Sequence, residues 1–414
     1  MMLPKYALGV PLILCCLAFP SLSPAGKKSA SEKPEWVGTW ACSPQLVEPA
    51  NLPPAPGLAE NTLRQIIHVS IGSDRLRVRF SNEFGITPLT LTSVHIALPV
   101  GDGSIKSATD KALTFAGQPS VSIPAGAMMI SDPIDFNVVP ETDLAITLQA
   151  GRVPDGITGH PGSRATSYLV IGDAVSAPIL TNPIKADHWY VLDGVDVATK
   201  KPAAAVVITG DSITDGRGST TNGNDRWPDD LARRLLAAKG TTDVAILNHG
   251  IGGNRILHDR AGPNLLARFD RDVLVQPGVR WVIVLEGVND IGTARKEAAS
   301  GEQLTTAADL IAAFQQLIMR AHTQGLQIYG ATILPFGGSF YFSPSNEADR
   351  QTVNTWIRTS GAFDAVIDFD KATRDSRNPD RLLSDYDSGD HLHPSVAGYH
   401  AMADAIPLSL FEHR

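Results

Sequence analysis

The sequence predicts two domains of different class. An all-β sandwich of jelly-roll type occupies residues 36–190, and an α/β domain built on a doubly wound parallel sheet occupies 191–414. Three observations carry this reading. The 414-residue length exceeds one typical domain. From Trp36 to about Tyr190, short β-rich runs are broken repeatedly by Gly and Pro, with no good helix among them. After Asp187, β-branched runs alternate with stretches of helical period.

In the first half, Leu63 to Ile71, Arg75 to Phe80, Leu89 to Ala97, Asp143 to Leu148 and Ser167 to Val170 read as strands. Residues 75–80 alternate strictly between polar and apolar, as a strand with one wet face should. In the second half, Val206 to Thr209, Val244 to Leu247, Trp281 to Leu285, Gln327 to Ile333 and Ala365 to Phe369 read as the parallel strands. Pro228 in a first turn, Asp229 and Asp230 behind it, Lys239 late and Gly240 at the end punctuate one helix. Leu304, Ala307, Ile311, Phe314, Ile318 and Ala321 recur at helical spacing on another.

The first residues read as an export signal. Lys5 supplies a positive start, and Ala7 to Phe19 form an apolar core too short and Pro-interrupted to span a bilayer. Small residues at Ser23 and Ala25 place the cleavage after Ala25, so the signal covers 1–25 and a small, charged leader 26–35. The mature chain is expected to be secreted or periplasmic, with no membrane span. Cys15 and Cys16 leave with the signal and Cys42 remains alone, which excludes an intrachain disulfide. A net charge of −8 argues against nucleic acid or an anionic membrane as partner.

Residues 206–217 carry the strongest chemical signal. A buried strand ends in Gly210-Asp211-Ser212, at the sheet edge where reacting groups of such folds collect. Helix-forming sequence follows, so Ser212 is placed as an exposed nucleophile backed by helix amides. Three more stretches follow strands: Asn248 to Arg255, Glu286 to Asp290, and Ser388 to Pro394. Loops after consecutive strands converge on one crevice, so the four can meet.

Their residue types complete an acyl-transfer site. His393 can take the Ser212 proton, and Asp390 can accept the other ring N–H and fix the tautomer. The Ser212 N–H, a glycine N–H of the second loop and the Asn289 amide can form an oxyanion hole. Asp211 and Asp290 read as turn or helix caps. His391 reads as a loop residue facing away from His393. His68, His160, His188, His249, His258 and His322 have no nameable partners and default to structural or surface roles. Arg217, Asn254, Arg255 and the loop Phe336 to Tyr341 are candidate substrate contacts. No third ligand accompanies His391 and His393, so no metal is expected, and no cofactor. A dinucleotide site is disfavoured because the first strand leads into Gly-Asp-Ser rather than a Gly-x-Gly-x-x-Gly run.

These four stretches resemble the motif blocks of the SGNH (GDSL-type) hydrolases, in the family's order over roughly residues 205–405. Gly210-Asp211-Ser212, the glycines at 250–253, Gly287-Val288-Asn289-Asp290 and Asp390-His391-Leu392-His393 carry the resemblance. It implies a flavodoxin-like sheet of order 2-1-3-4-5 and cofactor-free ester hydrolysis. It also assigns the second-loop donor: alignment on Asn248 favours Gly253, with Gly252 the close rival. The first half is similar to the β-sandwich of a secreted subgroup that includes acetylxylan esterases and arylesterases, through residues 64–68, 80–85 and 162–168.

The expected activity is a serine esterase removing acetyl or another short acyl group from a plant-type polysaccharide such as acetylated xylan. The alternatives are a broad arylesterase or lysophospholipase-like acylhydrolase, and a carbohydrate-binding protein without turnover. Activity should rise through one ionisation near about pH 6–7, as His393 loses its proton.

Overall fold

The computed structural model describes Met2, residues 35–199 and residues 202–412. Apart from Met2, the expected export segment and the leader up to residue 34 lie outside the described residues. The described residues from Glu35 onward belong to one compact unit.

Its first half is two antiparallel sheets. One runs Glu35–Ala41, Leu192–Thr199, Ser73–Ser81, with Met128–Ile130 and Ile134–Val138 both pairing the last. The other runs Ile184–Ala186, Ser167–Ile171, Asn61–Val69, Thr142–Ala150, Leu89–Ala97, Lys111–Ala112, with Val121–Ile123 also on Leu89–Ala97. Val37, Val78, Val195 and Val197 of the first sheet and Leu63, Ile67, Leu91 and Leu148 of the second lie in one continuous buried core. A small third sheet joins Trp189–Tyr190, Thr158–His160 and Gln45–Leu46.

Leu192–Thr199, expected to open the α/β domain, is instead a central strand of the first antiparallel sheet, between Glu35–Ala41 and Ser73–Ser81. Its Asp196 is fully buried, which sequence pattern alone argues against. The burial is offset by Arg77, whose Nε lies 2.9 Å from the carboxylate, and by Arg79 at 3.4 Å.

The second half is a five-stranded, all-parallel sheet. In chain order its strands are Ala204–Gly210, Val244–Gly250, Val279–Leu285, Gln327–Ala331 and Ala365–Ile367, and their spatial order is 2-1-3-4-5. The first strand is buried along its whole length, as a central parallel strand must be. The helix expected from 304 begins only at Ala307, because Thr306 caps it: its hydroxyl accepts the Asp309 N–H while Asp309 accepts from the Thr306 N–H. Among the described residues no helix is long and apolar enough to cross a membrane.

The antiparallel half covers an exposed edge of the parallel sheet. Val244–Gly250 is the edge strand, and its Ile246 N–H donates to Ser70 Oγ at 3.0 Å. Nearby the Gly38 N–H donates to the Pro277 carbonyl at 2.9 Å, and Arg79 donates to Gln276 at 2.9 Å. Covering an edge in this way removes a row of backbone groups that would otherwise pair with another chain.

Candidate active site

Ser212 sits where the first parallel strand meets the short helix Ser212–Asp215. Asp211 caps that helix by accepting the Ile213 N–H at 2.9 Å, so its carboxylate shapes the turn. A side chain at Gly210 would strike the Leu285 carbonyl and Thr214, each 2.4 Å from an added Cβ. The turn is therefore tight enough to lift Ser212 to the strand end only with glycine beneath it.

Ser212 Oγ lies 2.8 Å from His393 Nε2, and His393 Nδ1 lies 2.6 Å from Asp390 Oδ2. The other Asp390 oxygen accepts the Leu392 and His393 N–H groups at 3.0 and 2.9 Å, which locks carboxylate and imidazole into one turn. Burial alone would raise the Asp390 pKa, but these donors and the His393 ring outweigh it and hold the carboxyl at about 2. Burial also acts on His393, and here it wins. The imidazole titrates below its ordinary 6.5 despite Asp390, with Arg217 and Arg164 adding to the depression. At neutral pH the ring is therefore uncharged and can accept a proton from Ser212.

Asn289 opens the helix Val288–Ala299 after the third strand. Its Nδ2 donates to the Asn254 carbonyl at 2.8 Å, and Tyr341 donates from its hydroxyl to Asn289 Oδ1 at 3.0 Å. The two contacts fix the amide's orientation and leave one N–H uncommitted by them. The second loop turns at Ile251–Asn254, closed by the Asn254 N–H on the Ile251 carbonyl at 3.1 Å. Gly253 has φ +77°, a conformation that glycine adopts at no steric cost. Ser212, Gly252, Gly253, Asn289, Asp390 and His393 all line one cleft.

Asn254 and Arg255, expected to touch substrate, do not line it. The Asn254 side chain is buried and fully used: it donates to the Ala261 and Pro263 carbonyls at 2.9 and 2.8 Å and accepts from Arg268 at 3.0 Å. Arg255 is buried against Thr293 and pairs with Glu297 at 2.7 Å. Both polar side chains follow the motif glycines, but the loop turns them inward to brace itself. Asp290 likewise accepts the Ile256 and Leu257 N–H groups at 3.0 and 3.2 Å, a bracing role. His391 points to Asp387, 2.5 Å away, on an exposed turn. In the loop after the fourth strand, Phe336 is in the core, whereas Phe340, 75% exposed, and Tyr341 line the cleft.

Arg268 was invisible as a site residue, lying in no motif block. It is completely buried and donates to the Gly210 carbonyl at 3.1 Å, the His249 carbonyl at 2.7 Å, Asn254 at 3.0 Å and Asp272 at 3.0 Å. It also donates to Ser43 of the antiparallel half at 2.9 Å, and Ser43 donates to Asp272 at 2.7 Å. One guanidinium thus ties the first loop, the second loop and the β half together. It is also the cation that acts on two buried carboxyls beneath the site: burial pushes Glu286 well above the usual range and raises Asp211, with Arg268 pulling against both.

His160, expected to lack partners, adds another link between the halves. Its Nδ1 contacts the Ser43 carbonyl at 2.9 Å, its Nε2 contacts Asp215 on the Ser212 helix at 3.0 Å, and its ring stacks on Trp189. Gln45, Glu48, Asn51, Pro161, Gly162 and Arg164 of the β half line the same cleft as Ser212. The small sheet that holds Gln45 and His160 delivers this wall.

Residues 208–401 match the model of the GDSL-like lipase/acylhydrolase family. No curated protein matches the chain. Among solved structures, an acetylxylan esterase (Axe2) from Geobacillus stearothermophilus is 22% identical and has a TM-score of 0.39, covering 50% of this chain and 94% of its own. An acetyl xylan esterase, AlAXEase, is 22% identical at a TM-score of 0.37, over 49% of this chain and 96% of its own. An α/β hydrolase from the metagenome of Lake Arreo, Spain, is 20% identical at 0.39, over 49% and 94%. With the strand order and the loop geometry already described, this match gives the conclusion: over residues 208–401 the chain resembles the GDSL-like lipase/acylhydrolase domain, and it is a carboxylic ester hydrolase.

Proposed function

We propose that the protein is an exported serine esterase that removes acetyl or another short acyl group from an acetylated polysaccharide, through an acyl-serine intermediate. The observation that carries the reading is the unbroken relay from Ser212 Oγ to His393 to Asp390, at 2.8 and 2.6 Å. In this reading neutral His393 takes the Ser212 proton as Oγ attacks the ester carbonyl. The oxyanion is held by the Ser212 N–H, the Gly253 N–H and the free N–H of Asn289. Imidazolium then protonates the departing alcohol, and the Asp390 carboxylate stabilises that cation. Water, activated by the same His393, releases the acid and restores Ser212.

The cleft favours a polar alcohol part. Gln45, Glu48, Asn51, Arg164 and Arg217 line it, and Phe340 and Tyr341 supply aromatic faces on which a sugar ring can lie. An export segment at residues 1–25 fits an enzyme whose polymeric substrate lies outside the cell.

The test is a side-by-side assay of purified protein on p-nitrophenyl esters of rising chain length, acetylated xylan and a lysophospholipid. The reading expects turnover to fall as the acyl chain lengthens beyond the shortest esters, and acetate to be released from the polysaccharide. Preference for long acyl chains, or turnover of the lysophospholipid alone, would replace it with the acylhydrolase alternative.

A further inference from the structure

The charged groups lining the cleft fall into two sets. Each of its carboxylates has a side-chain partner, although Asp215 Oδ2 is buried without a hydrogen bond. Glu48 accepts from Gln45 at 2.6 Å and from Asn51 at 3.1 Å, Asp215 is held by His160 at 3.0 Å, and Asp390 by His393 at 2.6 Å. The two arginines of the cleft, Arg164 and Arg217, have no carboxylate within ion-pair distance among the described residues. Acidic residues outnumber basic ones 43 to 35 in this chain, so partners are plentiful. The buried arginines Arg226, Arg268 and Arg350 each hold one. Arg164 even keeps its Nε out of solvent without a hydrogen-bond partner, which is costly for a charged donor unless something else comes to meet it.

Both arginines are rooted in fixed backbone. Arg164 is held in a left-handed conformation, φ +51°, while its carbonyl accepts the Asn222 N–H at 2.8 Å. Asn222 in turn accepts the Thr166 N–H at 2.7 Å, so this one residue of the parallel half pins the turn of the β half at two points. A non-glycine residue kept in that region at a cleft rim is a reason to look for function. Arg217 follows the Ser212 helix directly: its N–H donates to the Ser212 carbonyl at 2.9 Å, and its own carbonyl accepts from Tyr399 at 2.7 Å.

Their place relative to the relay says which part of the substrate they meet. His393 must hand its proton to the departing alcohol, so the alcohol part lies on the His393 side of Ser212. Tyr399, which holds Arg217, belongs to the helix Val396–Asp404 that directly follows His393. Tyr341 and Asn289 bound the cleft elsewhere.

We propose that Arg164 and Arg217 form a subsite for a carboxylate on the alcohol part of the substrate, so that the preferred esters are acylated glycans with a uronic acid at or beside the acylated sugar. A planar guanidinium matches a carboxylate in a two-bond fork, and two of them bracket one anion. The proposal rests on the esterase reading above and narrows its substrate class. The polar lining favours a sugar acid over the phosphate of a lysophospholipid, whose acyl chain would need an apolar trough.

The experiment measures kcat/KM on three acetylated oligosaccharides: one bearing glucuronic acid, the same compound after reduction of its carboxyl group, and a neutral acetylated xylooligosaccharide. The proposal expects the acidic compound to be favoured by about tenfold or more at low salt, with the advantage shrinking at roughly 0.5 M NaCl. In Arg164→Ala/Arg217→Ala the acidic-to-neutral ratio should fall to about one, and in Arg217→Lys it should fall only in part. The ratio is internal to each preparation, so partial misfolding of a variant does not distort it. Turnover of the three compounds without discrimination by the unaltered enzyme would overturn the subsite, and so would an acidic preference that survives in the double variant. A lysophospholipid preferred over all three, with that preference lost in the double variant, would overturn it in favour of phosphate. Failure of the underlying esterase reading looks different: no ester of any kind, p-nitrophenyl acetate included, is hydrolysed.

Discussion

Two regions of unlike origin wall one cleft. The floor comes from loops after the first, second, third and fifth parallel strands, and every group assigned to bond breaking stands there: Ser212, Gly253, Asn289, Asp390 and His393. The opposite wall comes from the antiparallel half, through Gln45, Glu48, Asn51, Gly162 and Arg164. The floor is stiffened by backbone amides and by Arg268, and its residues act through their own reactivity. The wall's carboxylate, Glu48, is held by Gln45 and Asn51, and the wall's other lining groups are amides, Pro161, Gly162 and Arg164, which offer shape and charge. On the proposed reading the bond-breaking groups all come from the parallel half, whereas the groups that meet the alcohol come from both: Arg164 and Asn51 from the β half, Arg217, Phe340 and Tyr341 from the parallel half.

The largest effect should fall on the floor. Ser212→Ala is expected to lower ester turnover by about 10⁴–10⁶ while the circular dichroism spectrum stays that of the parent. More than about a tenth of the activity remaining would remove the serine from the mechanism.

Removing the wall is the next test. A chain beginning near Lys201 uncovers the edge strand Val244–Gly250 and its Ile246 amide. It should be poorly soluble, or lose polysaccharide deacetylation far more than small-ester hydrolysis. If it stays soluble with both activities intact, the comparison collapses and the β half has some remote role.

Arg268→Ala cuts one of the ties between the two regions, the one beneath the site. It takes from Asp272 one of the two arginines that hold it well below the ordinary carboxyl range, and from buried Glu286 the cation that offsets its burial. Breaking a buried pair of this kind costs about 3–5 kcal/mol, readable as a lowered midpoint in urea unfolding. A variant as stable as the parent would mean the network is ornamental.

Asn289→Ala should lower kcat by about 10²–10³ with KM little changed, since the donor works on charge that develops only in the transition state. An effect confined to KM would move Asn289 from the floor's chemistry to substrate contact.

The smallest effect is on pH dependence. On the proposed mechanism activity requires neutral His393 and so rises with pH through its pKa. Burial, with Arg217 and Arg164, places that pKa below 6.5. The acid limb of kcat/KM should therefore lie lower than an ordinary histidine would put it, and Arg217→Ala should move it upward. A limb above 6.5, or one indifferent to Arg217, would contradict the electrostatics described for the cleft.

The floor was legible in the sequence because its groups act through residue type at strand ends. Gly-Asp-Ser after a buried strand and an Asp three residues before a His each announce a chemistry. The wall was not legible, because Gln45, Asn51 and Gly162 carry no reactive signature and reach the cleft only through a small sheet joining distant segments. Leu192–Thr199 hid for a related reason. Its Asp193, Gly194 and Asp196 read as connection until Arg77 and Arg79 on a neighbouring strand are seen to neutralise them. Asn254 and Arg255 misled in the other direction, since loop spacing does not reveal which way a polar side chain turns.

The most direct test of the central claim is active-site labelling with a fluorophosphonate, which traps an activated serine by forming a stable Oγ–phosphorus bond. The account predicts one label per chain, located by peptide mass spectrometry on Ser212, with esterase activity lost in proportion and no labelling in His393→Ala. Full inactivation with the label on another residue, or undiminished turnover after Ser212 is labelled, would contradict it.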